Sequence, residues 1–104
     1  MKYQVSENVK SKFDALIKDE KVLKAVEFVK DDNDAIIDKQ IELTLIPAPT
    51  FHEQDKAARL LEMFKEEGLE DCHIDEYGNC VGIRKGTGGG KTTLVEGHLD
   101  TVFP

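Results

Sequence analysis

The hydrophobic period changes once along the chain, at Gly68, and that change most constrains the fold. Before Gly68 the apolar residues recur at helical spacing: Val9, Phe13, Leu16 and Ile17, then Val22, Val26 and Val29, then Ile37, Ile41 and Leu45, with Lys, Asp and Glu on the opposite faces. After Gly68 the pattern alternates, as a pleated strand requires. The sequence therefore predicts helices first and strands second, an α/β or α+β arrangement with helices layered on a sheet.

The boundaries are written in local chemistry. Asp31-Asp32-Asn33-Asp34 interrupts the helical pattern and lacks the spaced ligands and closing Glu of a calcium loop, so it reads as a helix break with capping acids. Pro47 and Pro49 end the helical region at about residue 46. Thr50 and Glu53 have the spacing of a capping box, and Ala57, Leu60, Leu61 and Phe64 form a core stripe behind it. Gly68 supplies a left-handed stop, with Leu69 folding back on Phe64.

"CHIDEYGNCVGIRKG" predicts a β-hairpin turning at Tyr77-Gly78. That register pairs Asp75 with Cys80 and Cys72 with Ile83. Cys72 and Ile74 then share a face with Val81 and Ile83, the two sulfurs fall on opposite faces, and a bridge between them is disfavoured. "TTLVEGHLD" predicts a third strand, with "GTGGG" as the connection.

Charge and length narrow the function. With 21 acidic against 14 basic residues the net charge is −7, the wrong sign for a nucleic-acid footprint. No apolar run approaches membrane-spanning length, and no apolar signal region follows Met1, so the expected address is the cytoplasm. A length of 104 residues allows at most one domain.

Two strings near the C-terminal end compete for the chemistry. GGGKT suggests a phosphate loop, but counting back from Gly90-Lys91-Thr92 puts Lys85 where the first glycine belongs, and a strand follows where a helix is required. GHLDTV fares better. On an extended strand His98 and Asp100 point to one face, and a carboxylate two residues away can accept the second ring N–H of a metal-binding histidine. His52, in a first helical turn, and His73, on the outer face of the hairpin, read as exposed polar residues. Glu96 shares the His98 face with no role that spacing assigns.

"IPAPTFHEQDKAARLLEMFKEEGLE", "IDEYGNCVGIRKG" and "TLVEGHLDTVFP", in that order over about residues 40 to 104, resemble the N-terminal part of the catalytic domain of the M20 metallopeptidases, the group of peptidase T, carboxypeptidase G2 and acetylornithine deacetylase. The resemblance implies a partial three-layer α/β/α zinc-exopeptidase-like sandwich, with helices over 1–46 and a helix plus three strands over 47–104. It also implies two zinc ions per complete enzyme, with Co2+ or Mn2+ as substitutes. His98 would be a zinc ligand and Asp100 the catalytic acid that orients it. The substrate would be a small peptide or an N-acyl amino acid.

The family's other ligands and its general base would fall beyond Pro104. The 104 residues are accordingly expected to be the N-terminal portion of one catalytic domain and inactive alone. The competing expectation is a non-catalytic domain that forms a homo-oligomer or binds another chain through an exposed sheet edge.

Overall fold

A computed structural model describes residues 4–102. Four helices precede a two-stranded sheet: α1 (Glu7–Leu16), α2 (Glu20–Asp31), α3 (Asn33–Leu45), α4 (Gln54–Glu66), β1 (Glu70–Ile74) and β2 (Cys80–Ile83). This is an α/β arrangement, with the helices first as the change of period requires. The chain divides into two compact units, residues 1–38 and 39–104.

In the first unit the starts of α1 and α2 are capped. The Ser6 hydroxyl accepts from Val9 N at 3.4 Å, and Asp19 Oδ1 accepts from Lys21 N at 2.8 Å and Val22 N at 3.3 Å. Asp32 separates α2 from α3, so the acidic cluster is the helix break the sequence predicts. Neither α1 nor α2 buries a residue. Their apolar stripes, Phe13 and Val26 among them, stay open to solvent.

The second unit has a small core, with Ala48, Ala57 and Met63 buried. Helix α4 packs over both strands, as its apolar stripe requires. Met63, outside the stripe read from the sequence, belongs to it. Lys56, in the first turn of the helix, is also buried. The end of α4 is a Schellman motif: Leu69 N donates to Phe64 O and Gly68 N to Lys65 O, both at 3.0 Å, with Gly68 at φ +71°. That stop is the one predicted. Ion pairs of Arg59 with Glu42 and of Lys39 with Glu67 (2.5 Å) tie the end of α3 to α4.

Three local expectations are corrected. The hairpin turns through a longer loop, because Asp75 captures it: Oδ1 accepts from Tyr77 N and Asn79 N, and Oδ2 from Asn79 Nδ2, all at 2.9 Å. Ile74 therefore pairs with Cys80 and His73 with Val81, one residue away from the predicted register. A slip of one exchanges the faces of a strand, so Cys72 and Ile74 share theirs with Cys80 and Gly82. Both thiols are free. Burial, and then the neighbouring Cys72, push the Cys80 thiol above its ordinary value. A bulge between Glu70 and His73, with Asp71 at φ +50°, interrupts the ladder, which resumes where Glu70 pairs with Ile83.

The second correction concerns residues 92–100, which form no ladder with the hairpin, so the sheet has two strands. A strand exists only against a partner, and Leu94 and Val95 are exposed with none among the described residues. The third is the capping box. Helix α4 begins at Gln54 with Glu53 as N-cap and no side-chain cap bond, because Thr50 and Glu53 are bonded elsewhere.

Candidate functional site

The residues around His98 and Asp100 are held by a turn 50 positions earlier in the chain. Pro49 O accepts from His52 N at 2.8 Å, closing a β-turn with Thr50 and Phe51 in the middle. Phe51 sits at φ +70°, where a bulky residue is strained, and Glu53 Oε1 accepts its N–H at 2.8 Å. Helix α4 follows at once and fixes the turn against the core.

Two bonds cross from this turn to the C-terminal segment. Thr101 N donates to Ala48 O at 2.8 Å, and Thr50 Oγ1 donates to Asp100 Oδ2 at 2.8 Å. From 91 to 102 only Leu99, Asp100 and Thr101 are withdrawn from solvent, and the last two are the residues that make these bonds.

Asp100 in turn holds His98. The ring Nδ1 lies 2.9 Å from both Asp100 Oδ1 and Asp100 O. A backbone carbonyl can only accept, so Nδ1 carries the proton, and in the neutral ring the lone pair is then on Nε2. The His98 side chain is 85% exposed and that of Asp100 29%, so the free nitrogen is accessible while its partner is sheltered. The Thr50 hydroxyl, and then His98, hold the Asp100 carboxyl below its ordinary value. A neutral, oriented imidazole backed by a carboxylate is the form in which histidine binds a metal ion.

The donor set fits a metal in part. His98 Nε2 is one donor, and both Asp100 oxygens are engaged, which makes Asp100 the partner of the histidine. Among the described residues no group of three or more His, Cys, Asp or Glu is placed to hold an ion. His52 and His73 do not join His98. His52 donates its backbone N–H within the turn, and His73 Nδ1 lies 2.7 Å from Asp71 O on the hairpin. Glu96 is exposed, and Phe103 and Pro104 of the motif lie outside the described residues.

Spacing led to His98 and Asp100 but not to Thr50, whose local signal was the capping box. The glycine-rich stretch 86–90 is exposed and leads into no helix, so the phosphate-loop geometry is absent from the described residues. No described helix is long and apolar enough to cross a membrane.

No family model matches the chain. Three curated archaeal proteins are similar to part of it. The chain is 38% identical over 61 residues to a protein of Thermococcus kodakarensis and to one of Pyrococcus abyssi, and 37% identical over 60 residues to one of Pyrococcus furiosus. All three carry the name LysW-lysine/LysW-ornithine hydrolase, which the names themselves mark as provisional. The matched stretch is 58–59% of this chain and 17–18% of the relatives' length. This chain is thus similar to a short part of three proteins named as hydrolases.

Proposed function

We propose that this chain forms the N-terminal part of a zinc-dependent hydrolase of the M20 metallopeptidase type, with His98 as a metal ligand and Asp100 as the acid that orients it. The observation that carries the reading is the His98–Asp100 pair, which engages Nδ1 and leaves Nε2 of the exposed ring for a ligand. The likeness to hydrolases supports the reaction class. A bound zinc ion would supply Lewis acidity and activate a water for attack on an amide carbonyl at neutral pH.

The chain's own residues do the positioning. Asp100 fixes the ring, and the Pro49–His52 turn fixes Asp100. The bond cleaved belongs to a small peptide or an N-acyl amino acid. The relatives' names, which join LysW to lysine or ornithine, favour release of such an amino acid from a larger conjugate.

The test uses the protein at its natural length, captured from its source cells and identified by intact mass. We expect co-purifying zinc, hydrolysis of N-acyl-lysine or N-acyl-ornithine that a chelator abolishes, and a loss greater than about 100-fold in His98→Ala, above the range for an outer partner of a ligand. The 104-residue polypeptide made alone should bind zinc weakly and hydrolyse nothing, since a catalytic zinc wants about three protein ligands. Hydrolysis that needs no metal, or that survives His98→Ala, would remove the reading.

A further inference from the structure

We infer that Thr50 is a positioning residue for this site: its hydroxyl fixes the Asp100 carboxylate and, through it, the tautomer that leaves His98 Nε2 free. The inference rests on the proposed role of His98, but its geometry stands independently.

Free histidine favours the proton on Nε2, the nitrogen a metal would need here. Something must therefore hold the proton on Nδ1. Asp100 Oδ1 does so at 2.9 Å, and it can face the ring only while the carboxylate is turned the right way. Thr50 Oγ1 sets that rotation by donating to the other oxygen, Oδ2, at 2.8 Å. A two-point hold, one oxygen to Thr50 and one to His98, leaves the carboxylate no free rotation.

Thr50 is itself well placed to do this. It occupies the turn closed by His52 N and Pro49 O, two residues after Ala48, whose carbonyl takes Thr101 N. Ala48 is 0% exposed, so this end of the turn is anchored in the core of the second unit. The next residue, Phe51, is held at φ +70° and is 84% exposed. Strain of that kind persists only where the surroundings impose it, and it is found where a neighbouring group must be aimed. Here the turn gives up the capping box that Thr50 and Glu53 could have made, and the Thr50 hydroxyl is aimed at Asp100.

The experiment compares the full-length protein with Thr50→Val and Thr50→Ser, using histidine-selective 15N labelling at about pH 8, roughly 1.5 units above the ordinary imidazole value, so that only tautomers are read. The His98 resonances are assigned with His98→Gln. The wild-type ring should report the Nδ1–H form. In Thr50→Val it should shift towards Nε2–H, in part only, because Asp100 O still accepts from Nδ1. Affinity for zinc alone should fall about 10-fold, the lower end for an outer partner of a metal ligand. Thr50→Ser, which keeps the hydroxyl, should restore both. In uniformly 15N-labelled samples, unchanged amide shifts at Leu69 and Val81 show that α4 and the hairpin remain folded. A His98 ring in Thr50→Val indistinguishable from wild type, or no restoration by serine, overturns the inference. If wild type binds no zinc while the tautomer moves as described, the zinc reading falls and the positioning role of Thr50 stands.

Discussion

Phe51 holds a conformation that costs a residue with a side chain about 1–2 kcal/mol. The residue is 84% exposed and returns little of that through burial. Glu53 Oε1 offsets part of the cost by taking the Phe51 N–H, a bond of about 1 kcal/mol at most in such an open place. Glycine meets no penalty at positive φ but adds about 0.5–1 kcal/mol of unfolded-state entropy. Phe51→Gly should therefore stabilise the second unit by about 0.5 kcal/mol, read as a higher urea midpoint with an unchanged slope. A lower midpoint would mean that the exposed ring contributes a contact worth more than the strain. The same turn shows where reading the sequence stops. Thr-x-x-Glu is a local signal, and it correctly announces a helix within a few residues. Its actual partner lies 50 positions away, and no spacing rule reaches that far.

Helix α4 was legible because everything that specifies it is local: an apolar stripe, a left-handed glycine at its end and a hydrophobic residue that folds back. The hairpin was legible as an element and not in register. Tyr77-Gly78 resembles a two-residue turn, but Asp75 organises the loop with three bonds from its carboxylate, and the register moves by one. The consequence is chemical, since the slip brings both cysteines to one face and sets Gly82 on it. Gly82 lies under α4, where an added Cβ would stand 2.8 Å from Leu69 Cδ2 and 2.9 Å from Phe64 Cδ2. Leu69 Cδ2 is the far end of a flexible side chain, whereas Phe64 Cδ2 belongs to a rigid ring. Gly82→Ala should thus destabilise the second unit by about 1 kcal/mol, the low end for overpacking, despite the better strand propensity of alanine. Urea unfolding followed at the Val81 amide reads this directly. A stabilised variant would place Gly82 away from α4 and restore the predicted register. The third strand was misjudged for a different reason. Composition gives a segment the capacity to be a strand, but a ladder needs a second segment.

At the scale of the molecule the two units differ in what can hold them. Helices of 10 and 12 residues with no buried side chain are marginal in water, so the first unit has no packing to resist unfolding. Among the described residues, all the buried ones belong to the second unit, and so do the four carboxylates depressed by a partner: Glu42 by Arg59, Glu67 by Lys39, Asp75 by Asn79 and Asp100 by Thr50. A carboxyl depressed in the folded state contributes stability that is fully present above its ordinary value, 4.5 for Glu and 3.8 for Asp, and is lost as pH falls through the lowered folded value. Cys80 has the opposite sign. Its thiol is raised from 9.0, so its contribution is present below that value and is lost as pH rises through the folded one. A competing effect is the net charge of −7, whose self-repulsion mild acid would relieve. At about 0.15 M salt the screening length is about 8 Å, so this diffuse repulsion fades more than contacts near 3 Å do. We therefore expect the urea midpoint of the second unit, followed at Leu69 and Val81, to be level from about pH 5 to about pH 8.5. It should fall below about pH 4.5 and again above about pH 9. Asn at position 75 carries no charge to lose, so Asp75→Asn should lower the neutral-pH midpoint and flatten the acid limb. An acid limb that Asp75→Asn leaves unaltered would assign the acid sensitivity to the other three carboxylates, and a midpoint that rises below pH 4 would show that relief of the net charge outweighs all four.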